Sequence, residues 1–277
     1  MQKISKTVLL TFLMIILGLS AATNSLNEST ETTALGEVSA PQEVILPLSS
    51  LNEPGHQEGS IFTDTTLSSG YLHTCAILDD GTVSCWGEGN NGQLGNGGTS
   101  NANTPTPTSS LGAGRTAVAI SSGSTFTCAI LDDGSVSCWG ANNFGQSGDG
   151  TTSTQNTPTP TSGFGTGRTA VALSSGSSHT CAILDDGSVS CWGRGDSGQL
   201  GNGDDGDEPE PMATDGFGIG RTAVAISSGS SYTCAVLDDG SVSCWGKGNN
   251  GQLGNGGTSD LDIPTATSSL GIGRTAV

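Results

Sequence analysis

Eight cysteines are the residues of this 277-residue chain best equipped for chemistry. They fall into four Cys-x9-Cys pairs: Cys75/Cys85, Cys128/Cys138, Cys181/Cys191 and Cys234/Cys244. An even count at cross-strand spacing, in a chain that opens with an export-type leader, favours disulfides. Each would close a loop of about ten residues, for a chain-entropy gain below ~3 kcal/mol. Buried free thiols acting as small hydrophobes are the plain alternative. Zinc fits least, because the spacing is not that of close cysteine pairs and no His recurs in every copy.

The other candidates point away from catalysis. His73 and His179 share a repeat position with Phe126 and Tyr232. A catalytic His is not expected to alternate with aromatics, and no acid or nucleophile lies near either in sequence, so packing is the expected role. Trp86, Trp139, Trp192 and Trp245 recur in every copy, which favours packing between repeats over a ligand cage. The Asp-Asp-Gly turns could suggest calcium, but hairpin turn chemistry accounts for them. Asp204-Asp205-Gly206-Asp207-Glu208 is a denser acidic cluster that misses the spacing of a calcium loop and reads as solvated. No catalytic, cofactor-binding or metal-binding set is assigned.

The cysteines sit in one stretch that the chain writes four times: Cys-Ala-Ile-Leu-Asp-Asp-Gly-Ser-Val-Ser-Cys-Trp-Gly. The copies begin at Cys75, Cys128, Cys181 and Cys234, a constant step of 53, with Thr82 for Ser in the first and Val236 for Ile in the last. Two short β-prone runs flank Asp79-Asp80-Gly81. A three-residue loop ending in Gly suits a type I turn followed by a left-handed residue. That register pairs Leu78 with Thr82, Ile77 with Val83 and Cys75 with Cys85. The last is a non-hydrogen-bonded pair, whose Cα atoms lie about 4.5 Å apart. Cys75, Ile77, Val83 and Cys85 then share one face, and Ala76, Leu78 and Trp86 the other. Both faces are apolar, and a lone hairpin is marginal in water, so stacked copies must bury them.

Around the hairpin the repeats run 62–114, 115–167, 168–220 and 221–273, with a fifth beginning at 274. In the second copy, Arg115 to Ile120 is a first strand and Ser121-Ser122-Gly123 a turn. The hairpin supplies two more strands, and the connection through Thr157-Pro158-Thr159-Pro160 has room for a short outer one. Three or four strands per repeat fit a propeller blade. With 44 glycines, composition alone would permit disorder, but a disordered tract has no reason to keep so strict a period. Residues 274–277 restart the repeat in mid-strand. That suggests a fragment of a larger ring, with closure of a ring by this strand as the other reading.

Residues 1–22 resemble a signal peptide. Lys3 and Lys6 precede an apolar run from Val8 to Leu19, and Ser20-Ala21-Ala22 allows cleavage after Ala22. The run is short for a membrane span, an uncleaved anchor being the alternative. Residues 23–61 read as an acidic flexible linker, with a glycosylation sequon at Asn27-Glu28-Ser29 and one possible edge strand from Glu43 to Leu48. The formal charge of −18, from 26 acidic and 8 basic residues, disfavours nucleic acid and anionic lipid.

The longer pattern Gly-x-x-His-Thr-Cys-Ala-Ile-Leu-Asp-Asp-Gly-x-Val-x-Cys-Trp-Gly-x-Gly-x-x-Gly-Gln-Leu-Gly runs from Gly70 to Gly95 and Gly176 to Gly201. With Tyr232 for His it also runs from Gly229 to Gly254, and the second copy carries Phe126 and Ser147. It resembles the repeat of the regulator of chromosome condensation (RCC1) family over residues 62–277. The resemblance implies an all-β, RCC1-like β-propeller, usually of seven four-stranded blades, of which four copies are only part. The family's best-known member exchanges nucleotide on a nuclear GTPase and binds chromatin. The leader, the acidic charge and the paired cysteines argue against that activity here. Secreted members look more like protein-binding scaffolds, one type inhibiting a β-lactamase.

The copies differ mainly at 88–91 and 99–111 and at the equivalents 141–144, 149–164, 194–197, 204–217, 247–250 and 257–270. These are loops, the usual place for recognition on a rigid scaffold. The leading expectation is a secreted or cell-surface propeller, a monomeric ring, that binds an extracellular protein through its blade loops without catalysis or cofactor. The alternative is an extracellular hydrolase or lyase with its site where blades meet. Nucleotide exchange ranks last.

Overall fold

The computed structural model describes residues 66–277. The leader with Ala22, the sequon and the linker strand lie outside the described residues. Sixteen strands form four four-stranded antiparallel sheets, one per repeat. Blade 1 holds β1 (Leu67–Ser69), β2 (His73–Ile77), β3 (Val83–Gly87) and β4 (Ala102–Pro107). Blade 2 holds β5 (Ala117–Ser122), β6 (Phe126–Leu131), β7 (Val136–Gly140) and β8 (Gln155–Pro160). Blade 3 holds β9 (Ala170–Ser175), β10 (His179–Leu184), β11 (Val189–Gly193) and β12 (Glu208–Ala213). Blade 4 holds β13 (Ala223–Ser228), β14 (Tyr232–Leu237), β15 (Val242–Gly246) and β16 (Leu261–Ala266). Within each blade the strands lie side by side in chain order.

The central hairpin has the register that its turn dictates. Cys75 faces Cys85, Ile77 faces Val83, and Leu78 N–H donates to Thr82 O at 2.8 Å. Gly81 closes the turn at φ 76°, where a Cβ would be strained. Asp80 Oδ1 accepts the Thr82 hydroxyl at 2.6 Å and the Thr82 N–H at 2.9 Å. These bonds, the hydroxyl's first, hold the Asp80 carboxyl below its usual pKa. Asp133, Asp186 and Asp239 make the same pair of bonds with the Ser two residues on.

The two apolar faces of each hairpin explain the stacking. Cys75, Val83, Cys85 and Leu94 of blade 1 form one core with Ala117, Ile120, Ala129 and Trp139 of blade 2. Cys128, Ile130, Val136 and Cys138 pack against Ala170, Ala182, Leu184 and Trp192. Cys181, Ile183, Val189 and Cys191 pack against Ala223, Ala235, Leu237 and Trp245. The cysteine face of each blade thus meets the tryptophan face of the next, and there is one core at each junction.

The innermost strand departs from the sequence reading. Ser121 and Ser122 extend β5 rather than turning, and β5 starts at Ala117, with a register shift around Val118. The serines are strand residues because they pair with Cys128 and Thr127 of β6, and they also bond sideways to the preceding blade. Ser122 N–H donates to Ser68 Oγ at 2.9 Å, Ser175 to Ser121 at 2.9 Å and Ser228 to Ser174 at 2.8 Å. At the other end, Ala117 N–H reaches back to Gly81 O at 2.8 Å, so each inner strand starts against the preceding blade's turn. The outermost strands carry the prolines, which suit an edge with no further neighbour.

Candidate interaction surfaces

The recurring polar groups are consumed in holding blades together. Trp139 Nε1–H donates to Gln93 O at 3.0 Å, and Thr127 Oγ1–H donates to the same carbonyl at 3.3 Å. Trp192 and Thr180 share Gln146 O in the same way, and Trp245 and Thr233 share Gln199 O. Gln93 Oε1 meanwhile accepts Asn91 N–H at 2.9 Å and braces its own loop. The threonine and the Gln carbonyl had no role in the sequence reading. Their signal was available, because a Thr precedes the first cysteine of every hairpin.

The histidines belong to the same junctions. His73 Nε2 lies 2.8 Å from Thr127 Oγ1, and His179 Nε2 lies 2.9 Å from Thr233 Oγ1. Since each hydroxyl proton is directed at a Gln carbonyl, the imidazole N–H donates to the hydroxyl oxygen. Nδ1 of each ring has no partner among the described residues. Burial pushes both imidazoles down to about 4, so both are neutral at physiological pH. Each bonds a buried Thr hydroxyl whose own proton is directed at a main-chain carbonyl, and Phe126 fills the equivalent place in blade 2.

The eight cysteines form disulfides Cys75–Cys85, Cys128–Cys138, Cys181–Cys191 and Cys234–Cys244, with Cα atoms 4.0–4.1 Å apart. The first three pairs are fully buried. The sulfurs therefore crosslink β-strands inside the stack and offer no accessible redox group there.

Accessible concavities lie between blades. A groove of about 510 Å³ opens between blades 2 and 3, with Val118, Ile130, Leu131 and Val171 as its floor and Asp132 and Asp133 at its rim. Arg115 lies 3.2 Å from Asp132 and 2.9 Å from Asp133. A second cleft, of about 500 Å³, is acidic: Asp196, Asp204 and Asp205 of blade 3 face Asp260 and Asp262 of blade 4. Among the described residues, no three or more His, Cys, Asp or Glu side chains converge closely enough to hold a metal. Asp207 instead accepts Gly195 N–H at 3.0 Å, as Asn101 does from Gly89 and Asp260 from Gly248. The variable loops are also partly committed to neighbours. Gly97, Gly150 and Gly203 donate to Asn156 O, Pro209 O and Asp262 O on the next blade's outer strand.

Four in-phase blades and a repeated junction agree with the comparison to known families. The model of the RCC1-like domain matches residues 28–276. The chain belongs to the RCC1-like domain family. Among its relatives, the ultraviolet-B receptor UVR8 of Arabidopsis thaliana is 35% identical over 206 residues, which is 74% of this chain and 46% of the receptor. The E3 ubiquitin-protein ligase HERC2 of Homo sapiens is 33% identical over 196 residues, 69% of this chain and 4% of the ligase. This RCC1-like chain therefore spans less than half of either relative. Human WBSCR16 superposes with a TM-score of 0.66 at 26% identity, over 74% of this chain and 53% of that one. Yeast RCC1 (Prp20), solved bound to Kap60, gives 0.63 at 22% identity, over 74% and 48%, and shows the shared fold.

Proposed function

We propose that this RCC1-like chain is a secreted or cell-surface scaffold that binds another protein through its blade loops. The observation that carries the reading is a division of labour among the residues. The Cys pairs, Trp, Thr and Gln that recur in phase are spent on the junctions, while the copies differ in segments such as 99–111 and 204–217, each an outer strand with its flanking loops. Four disulfides support an oxidising compartment, since such bonds rarely persist in a reducing one. Recognition from loops on a rigid frame is the common arrangement.

The test is crosslinking mass spectrometry on oxidised full-length protein incubated with the extracellular fraction of its source. Crosslinks concentrated at 99–111, 149–164, 204–217 and 257–270 support the reading. Crosslinks spread evenly, or absent, oppose it.

The acidic cleft between blades 3 and 4 favours one alternative, an extracellular hydrolase or lyase working at a blade junction. Turnover of a polysaccharide or peptide that is lost on neutralising Asp204 and Asp205 would support that alternative instead.

A further inference from the structure

The groove between blades 2 and 3 is left over when the junctions are built. Both blades have a packed neighbour on either side, and no lining residue of the groove falls in a segment where the copies differ. Its floor of Val118, Ile130, Leu131 and Val171 is apolar, and about 510 Å³ is the size of a binding cleft.

A backbone device supplies part of that floor. Strand β5 skips Val118 in its ladder, since Ala117 pairs with Leu131 and Ala119 with Ile130. Strands β9 and β13 skip Val171 and Val224 in the same way. A bulge leaves its extra residue unpaired and re-aims the side chain. Val118 is 46% exposed and Val224 37%, and neither core that flanks blade 2 includes Val118. The walls are fixed in the free protein. Ala170 N–H donates to Gly134 O at 2.9 Å, and a Cβ on Gly134 would come within 2.5 Å of the Thr169 Cβ, so turn and inner strand meet without slack.

Charge decides what fits. Asp132 and Asp133 stand at the rim, and Arg115 meets them at 3.2 Å and 2.9 Å. Arg168, beside the lining residue Thr169, turns instead to Asp185 and Asp186. Two carboxylates against one guanidinium leave a surplus negative charge at the rim. Asp132, Asp133 and Arg115 are each more than a third exposed, so their pairing is weak and open to exchange. The same two-to-one arrangement at Asp185, Asp186 and Arg168 carries the surplus on to the next turn.

We propose that this groove docks a peptide segment of a protein partner. An aliphatic or aromatic side chain of the segment lies on the valine floor, and a lysine or arginine beside it meets Asp132 and Asp133. Because the surplus charge repeats from turn to turn, it suits a chain with several basic residues better than a small amine. The proposal rests on the protein-binding reading above and adds to it a surface apart from the variable segments.

The experiment selects random short peptides displayed on phage against the oxidised full-length protein. The enriched peptides are then made synthetically and measured against wild type, Val118→Asn, Asp132→Asn and Asp204→Asn. Asn at 132 can still accept the Thr116 N–H that Asp132 accepts at 3.2 Å, and intact disulfides with an unchanged thermal transition show that each variant is folded. The peptides should carry Lys or Arg beside an apolar residue and lose affinity as salt rises. They should bind Val118→Asn about 10-fold more weakly or worse, and Asp132→Asn several-fold more weakly. No enrichment, peptides without a basic residue, or equal affinity for wild type and either groove variant overturns the proposal. Peptides that lose affinity for Asp204→Asn but not for Val118→Asn also overturn it, and they leave recognition through the loops standing.

Discussion

Trp139 donates its indole N–H to the backbone carbonyl of Gln93, 3.0 Å away and 46 residues earlier in the chain. The bond ties a strand of blade 2 to a loop of blade 1 and satisfies a buried indole that would otherwise lose its partner. Because the acceptor is main chain, the geometry depends on the loop's path and not on the identity of residue 93. The loop's path depends in turn on Gly95, over whose Cα the indole lies.

Gly95→Ala and Gly254→Ala separate two effects at matched backbone angles. Both replace a glycine of positive φ, which costs roughly 1–2 kcal/mol. Only at Gly95 does the new methyl also strike an indole, adding roughly 1–3 kcal/mol of overpacking. In dilute solution, urea unfolding should show Gly95→Ala as the more destabilised variant. Equal losses would mean that the indole can retreat without cost.

The buried histidines make stability fall with acid. Their pKa in the fold is about 4, below the ordinary 6.5, so the unfolded chain binds protons more tightly. Their contribution is therefore full above pH 6.5, declines as the pH drops toward 4, and flattens below. Each His contributes a loss of roughly 3 kcal/mol over that window. The double variant His73→Phe with His179→Phe should remove this slope, since Phe126 shows that the junction accepts a phenyl ring. Thermal melts between pH 7 and 4 check it, and a slope unchanged in the variant would place the titrating groups elsewhere.

Thr127→Val removes a hydroxyl while keeping shape. It strands the His73 Nε2–H inside the junction, at a cost of about 1–3 kcal/mol. Thr180→Val, whose junction holds Phe126 in the His position, should cost less. Combining Thr127→Val with His73→Phe should recover part of the loss, because no donor is then left unpaired. Additive losses in this cycle would show that the His–Thr bond contributes nothing.

The sequence made much of this legible, since turn chemistry and strand alternation are local. Asp79-Asp80-Gly81 sets the hairpin register, and that register forces Cys75 opposite Cys85 and Ile77 opposite Val83. The division of apolar residues between two faces was readable for the same reason. Which face meets which was not, because it depends on the rotation between sheets. Ser121-Ser122 reads as a turn from composition, but the two serines extend the ladder opposite Cys128 and Thr127, and Ser122 also bonds the neighbouring Ser68. Gln93 looked like a polar loop residue, but its carbonyl is the acceptor at the junction, and a main-chain atom leaves no mark in side-chain identity.

Burial predicts the order in which the four disulfides yield to a reductant. Attack requires the reductant to reach a sulfur. Cys75–Cys85, Cys128–Cys138 and Cys181–Cys191 are fully covered by the following blade, so their reduction must wait for a junction to open. Cys234 in blade 4 is only half-buried, although Cys244 is 3% exposed. Dilute native protein treated with a phosphine reductant, quenched by alkylation and mapped by mass spectrometry, should show Cys234 and Cys244 labelled first. The other three pairs should follow together and track unfolding. Simultaneous labelling of all eight cysteines would mean that the stack opens as one unit, faster than blade 4 is attacked from its open side.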